Sequence, residues 1–168
     1  MNNDQKIFLL DSSVFIEAHK RYYAFDIAPT FWEKLVELAK DEKLCSIDRV
    51  KNELTKKDDK LKQWIESSFE SYFHPTEDNK ILIEYRELMT WSYSNKQFTE
   101  EAKREFATAE IADAWLIAYA KANKCIVATE EKLNLKEQSR IPIPNVCKEF
   151  DIECVDTFQM LRQLKVQL

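Results

Sequence analysis

The chain has 168 residues, 45% of them hydrophobic and 12% aromatic, which suffices for one packed domain over residues 1–168 and is short for two. Its net charge of −5 excludes a uniformly basic protein held to nucleic acid by nonspecific phosphate contacts, although carboxylates gathered around a cation would make the net count misleading. Cys45, Cys125, Cys147 and Cys154 form no C-x-x-C pair, no signal peptide is evident, and no apolar run approaches the roughly 20 residues that cross a bilayer, so reduced thiols, cytoplasm and no membrane are expected.

The first element is an apolar run, Ile7-Phe8-Leu9-Leu10, ended by Asp11-Ser12-Ser13, the pattern of a buried strand delivering a turn or a helix N-cap. After Pro29, Thr30 is placed to cap a helix carrying Phe31, Trp32, Leu35, Val36, Leu38 and Ala39. Leu44-Cys45-Ser46-Ile47 reads as a second strand, and Asp48 as the cap of a helix bearing Val50 and Leu54. Residues Asp78 to Tyr93 have the apolar spacing of a longer amphipathic helix, and another helix begins near Glu110 and runs through Trp115 to Tyr119. Cys125-Ile126-Val127-Ala128 and Ile152-Glu153-Cys154-Val155 complete the strands.

Short apolar strands separated by helices predict an α/β sandwich with a mostly parallel sheet, because parallel neighbours need crossovers and both faces must be covered. Ligands of such sheets bind beyond the carboxyl ends of the strands. Asp11 follows one such end, and Glu131 follows another. The chain contains no Gly, so Asn79, Asn95, Asn123 and Asn134 are expected at the turns that need positive φ.

Four carboxylates stand out from this layout: Asp11, Glu53, Asp113 and Glu131. Taken singly, Asp11 can serve as a helix cap, and Glu53 and Glu131 as solvated acids; Asp113 in an apolar helix is costlier to explain without a partner. Gathered at one sheet edge, they would form an oxygen-rich site for a hard cation such as Mg²⁺ or Mn²⁺. Glu130 competes with Glu131 for the fourth position if the register shifts by one. Glu17 and Glu110 are auxiliary acids, while His19 and His74 lack metal-ligand spacing. Lys20, Arg21, Tyr22 and Tyr23 form a basic-aromatic patch suited to meeting a nucleotide or a partner.

The order of these features resembles the PIN-domain family, in particular the VapC-like bacterial nucleases. The resemblance rests on Phe8-Leu9-Leu10-Asp11-Ser12-Ser13, Val50-Lys51-Asn52-Glu53-Leu54, Asp113-Ala114-Trp115-Leu116-Ile117-Ala118 and Val127-Ala128-Thr129-Glu130-Glu131. Further blocks, Arg21-Tyr22-Tyr23, Ser46-Ile47-Asp48, Ile143-Pro144-Asn145-Val146-Cys147 and Val155-Asp156-Thr157-Phe158, are similar to an uncharacterised bacterial PIN subfamily. The resemblance implies an α/β/α sandwich and a metal-dependent ribonuclease with one or two Mg²⁺ or Mn²⁺ ions. It implies Asp11, Glu53, Asp113 and Glu131 as metal-binding and catalytic residues, supported by Ser12, Ser13 and Thr129. It also implies an RNA substrate, a toxin–antitoxin setting with a cognate antitoxin protein, and a homodimer. A noncatalytic RNA- or protein-binding module on the same fold is the alternative.

Overall fold

The computed structural model describes residues 5–168 and shows an α/β chain whose five strands form one parallel sheet. The elements are β1 (Phe8–Leu10), α1 (Ser12–Glu17), α2 (Pro29–Lys40), β2 (Leu44–Ile47), α3 (Asp48–Leu54), α4 (Lys60–Trp64), β3 (Phe73–His74), α5 (Asn79–Ser94), α6 (Glu100–Phe106), α7 (Ala112–Asn123), β4 (Ile126–Ala128), α8 (Ile143–Glu149), β5 (Cys154–Val155) and α9 (Thr157–Gln163). Single π-helical turns extend α1 through Tyr22 and α4 through Phe69.

The strand order is β3-β2-β1-β4-β5. The chain builds outward from β1 through β2 to β3, then returns to the other side of β1 for β4 and β5. A topological switch therefore lies between β1 and β4, where crevices open at the carboxyl ends of strands. Leu10 pairs with Ala128, so Asp11 and Thr129 emerge side by side, and the Asp11 N–H donates to the Ala128 carbonyl at 2.9 Å. Successive residues of β1, β2 and β4 are all buried although they point to opposite faces, so helices cover both sides of the sheet.

Helix α7 shows how the sequence places a charge inside this core. Ala112, Ala114, Leu116, Ile117, Ala118, Ala120 and Ala122 are buried, which makes the helix apolar nearly all round and lets it pack on α5, α3, α8 and β4. Asp113 is the acid in its first turn, where the partial positive charge of the helix terminus favours a carboxylate.

Several expectations require correction. Pro29 opens α2 and Ala28 precedes it, so Thr30 lies inside the helix; proline suits this first position because its missing N–H would have no helical partner. Asp48 likewise belongs to α3, whose N-cap is Ile47, and its carboxylate receives the Thr76 N–H and hydroxyl at 3.1 and 2.8 Å. None of the four asparagines takes positive φ. Glu42, Lys124, Asp151 and Lys165 do so instead, at 56°, 55°, 55° and 57°. Each follows a helix, and the next residue's N–H reaches back five positions, as from Lys43 to Leu38 and from Cys125 to Ala120, both at 2.9 Å. These are Schellman closures, in which satisfied helix carbonyls offset the steric cost that glycine would have avoided.

All four cysteines are free. Burial pushes the Cys45 thiol up to about 12 and that of Cys125 to about 11, which keeps both uncharged and unreactive.

Candidate functional site

Asp11 is the most fully supported acid. It is buried at 3% exposure, and its Oδ1 accepts the Ser12 N–H at 2.8 Å as the N-cap of α1. Its Oδ2 accepts two hydroxyls, Ser13 Oγ at 2.7 Å and Thr129 Oγ1 at 2.8 Å. Each hydroxyl is oriented in turn by a backbone donor: Glu130 N–H to Ser13 Oγ at 2.9 Å, and Glu131 N–H to Thr129 Oγ1 at 3.1 Å. The two hydroxyls lie 3.2 Å apart, but with both protons committed to Asp11 neither is free for the other. Thr129 therefore steadies Asp11 and the backbone of Glu131 rather than the Glu131 carboxylate. The Ser12 hydroxyl is more distant from Asp11, at 3.4 Å, and contributes mainly through its N–H.

The two adjacent glutamates turn to different parts of the structure. Glu130 accepts the Thr157 N–H at 3.1 Å and also the Thr157 hydroxyl, at the start of α9. Glu131 turns the other way and feels Asp11 and Asp113. Its Oε2 accepts the Ile143 N–H at 2.8 Å, at the start of α8, and its Oε1 accepts Arg140 Nη2 at 2.5 Å. Glu53 reaches from α3 to the start of α7, where one oxygen accepts the Ala112 N–H at 2.8 Å. Ile111, the N-cap of that helix, offers no side-chain bond, so Glu53 supplies the cap from another element.

Asp113 is the exception. It is recessed beside Asp11, Glu131 and Glu53, and no described residue donates a hydrogen bond to it. Burial, followed by the repulsion of those three carboxylates, pushes its acid well above the usual carboxylate range, and Arg140 offsets this only in part. Burial likewise raises Glu131, against the Ile143 N–H and Arg140. Three carboxylates from separate parts of the chain thus lie within electrostatic reach of Asp113 beside the β1–β4 switch.

Two cavities adjoin the cluster. One, of about 370 Å³, is lined by Ala102, Phe106, Ile111 and Ile141 with Asp113, Arg140 and Glu105. The other, of about 510 Å³, lies on the far side of Glu131 and includes Lys132 and Lys148.

Other sequence candidates fall elsewhere. Tyr23 stacks on Phe31 with ring centroids 4.3 Å apart and carries the Trp32 indole N–H on its carbonyl at 2.6 Å, so it belongs largely to the packing of α2. Tyr22 packs edge-on against Phe158 while remaining half exposed. Arg21 pairs with Glu17 at 3.2 Å, and Lys20 is exposed. His74 Nδ1 meets the Tyr119 hydroxyl at 2.8 Å, away from the acids. Arg140, which no sequence pattern marks, lies in an aperiodic loop without a motif. One available signal was the nearby Asn145, whose buried side chain brackets Asn134, accepting its N–H at 3.0 Å and donating to its carbonyl at 2.7 Å, and so pins that loop.

The donor set suits a hard divalent cation: all four acids are oxygen donors, and Asp113 is a recessed carboxylate with like charges around it and no proton donor. A cation between them would remove the repulsion that raises Asp113. Among the described residues, however, no three His, Cys, Asp or Glu side chains are set closely enough to hold an ion as they stand. Glu131 and Glu53 are turned to helix N-termini, and binding would require them to swing toward Asp113.

A family model described as a domain of unknown function, DUF4411, matches residues 8–168. No curated protein and no solved structure matches the chain.

Proposed function

The chain belongs to the DUF4411 family, and from the chemistry of its site we propose that it is a Mg²⁺- or Mn²⁺-dependent endoribonuclease, the toxin of a type II toxin–antitoxin pair. The observation that carries this reading is the convergence of Asp11, Glu53 and Glu131 on Asp113 beside the β1–β4 switch, with Asp113 raised by burial and then by those three charges. The resemblance of the same acids to PIN-domain motifs supplies the substrate class, the cognate antitoxin and the homodimer. Among the described residues, no helix is long and apolar enough to cross a membrane.

Asp11 and Asp113 would hold the ion, with Glu53 and Glu131 completing the set directly or through water. Such an ion, when bound, makes water more acidic and neutralises charge on a phosphate. Ser13 and Thr129 keep Asp11 in one rotamer, so that its position is fixed before substrate arrives. Glu53 or Glu131, holding the ion through water, would accept the proton of the attacking water.

Incubating the protein with structured and unstructured RNAs in Mn²⁺, Mg²⁺ or chelator, beside an Asp11→Asn, Asp113→Asn double variant of verified fold, tests the reading. Metal-dependent cleavage confined to the unaltered protein is expected. A second reading, a noncatalytic binding module, is favoured by the use of Glu53 and Glu131 as helix caps. Mn²⁺ affinity insensitive to Asp113→Asn would select it.

A further inference from the structure

We propose that Arg140 is the phosphate clamp of this site and that the cavity beside it receives an unstacked base of single-stranded RNA next to the scissile phosphate. This rests on the nuclease reading and extends it to the form of the substrate. Arg140 spends one guanidinium nitrogen on Glu131, at 2.5 Å, while half of its side chain remains exposed. The guanidinium has five N–H donors in a planar fork that matches two phosphate oxygens, so donors remain for a second, anionic partner.

The loop that presents it is anchored. Gln97 Nε2 donates to the carbonyls of Leu135 and Glu137 at 3.0 and 2.8 Å, and Thr99 N–H to that of Gln138 at 2.9 Å. Arg140 is therefore held over the acids rather than swinging freely from a surface loop.

The adjoining cavity has a complementary composition. Its lining is mixed: Ala102, Phe106, Ile111 and Ile141 are apolar, and Asp113, Glu105 and Arg140 are charged. At about 370 Å³ it falls in the size range of small-molecule sites, with apolar side chains for the faces of a flat base and charged groups for its polar edge and the adjoining phosphate. A base paired in a duplex would have to be unpaired and unstacked to enter, so the pocket favours single strands, loops or ends.

The same contact makes Arg140 a competitor of the cation. While it neutralises Glu131 it occupies an oxygen that the ion would use, and a phosphate drawing the guanidinium away frees that oxygen. RNA and the ion should thus reinforce one another's binding through Arg140.

The test compares wild type with Arg140→Ala and Arg140→Lys in three measurements. The first is Mn²⁺ affinity without RNA, by calorimetry. The second is affinity for a labelled single-stranded RNA of mixed sequence, measured in Ca²⁺ to suppress cleavage, and for the duplex of that RNA. The third is single-turnover cleavage in Mn²⁺. Arg140→Ala is expected to weaken single-strand binding about ten-fold or more, the loss typical of a charge-assisted hydrogen bond, while Mn²⁺ alone binds more tightly. Arg140→Lys should recover binding only in part, because a point charge lacks the fork. Wild type should prefer the single strand to the duplex. Unchanged RNA affinity in Arg140→Ala overturns the clamp, and equal affinity for duplex overturns the pocket, in either case with wild-type cleavage intact. A wild type that neither binds Mn²⁺ nor cleaves overturns the nuclease reading itself, and this inference with it.

Discussion

Asp11 and Asp113 belong to one cluster but are held in opposite ways. Asp11 ends a strand and is met by a backbone N–H and two oriented hydroxyls, so its burial is compensated by hydrogen bonds. Asp113 begins a helix and faces three other carboxylates, with Arg140 as a partial offset. A folded chain tolerates the first arrangement as structure. The second lowers the stability of the protein without a ligand, and that cost is the feature most readily explained by a cation as the missing partner.

The largest expected effect is on cleavage, where the two acids should act alike. Asp11→Asn and Asp113→Asn are each expected to lower metal-dependent RNA cleavage by about 10²-fold or more, measured at saturating Mn²⁺, because each removes charge from the ion's surroundings. Full activity in either variant would remove that residue from the centre.

In stability the two should diverge in sign. Asp11→Ala deletes the α1 cap and leaves the Ser13 and Thr129 hydroxyls without their acceptor, so a loss of about 2–4 kcal/mol is expected in chelator by urea denaturation. Asp113→Asn removes the repelled charge, so a gain on the order of 1–3 kcal/mol is expected, or ~2–4 °C in Tm per kcal/mol for a chain of this size. Destabilisation by Asp113→Asn would break the comparison.

The dependence on pH follows from the same difference. With its native pKa raised well above 3.8, Asp113 binds more protons folded than unfolded between the two values. Stability in chelator should therefore fall as pH rises through that window, and be greatest on its acid side. The Asp113 contribution is the difference between wild type and Asp113→Asn in thermal melts across that range. It should shrink when Mn²⁺ is present.

A smaller effect is expected one layer out. Thr129→Val and Ser13→Ala each remove one hydroxyl from Asp11 and should weaken Mn²⁺ binding by about 10–100-fold. A change confined to Tm, with metal affinity preserved, would show these hydroxyls acting only in packing.

Much of this layout was legible in the sequence, for reasons that vary by element. Buried parallel strands are continuous apolar runs, so β1, β2 and β4 announced themselves; β5, Cys154–Val155, was legible through the longer stretch from Ile152, whereas β3, Phe73 and His74, has no such run around it. Asp78, where the amphipathic spacing begins, is the N-cap of α5, with its carboxylate on the Lys80 N–H at 2.8 Å. Asp48 has the same chemistry but is drawn to Thr76 by tertiary contact, which no local pattern records. The acids were identifiable by their places after strands and within apolar helices. Their present partners were not, since Glu131 meets Arg140 and Ile143 only through the path of a pinned loop. Likewise Glu130 is turned away from Asp113 by Thr157, from a helix late in the chain.

The most direct measurement is a Mn²⁺ titration of the wild-type protein and the Asp11→Asn, Asp113→Asn double variant by calorimetry at neutral pH. Saturable binding in wild type that is lost in a folded double variant is the result expected of a carboxylate metal centre at the β1–β4 switch. Equal binding by the two proteins, or none by wild type, would contradict it.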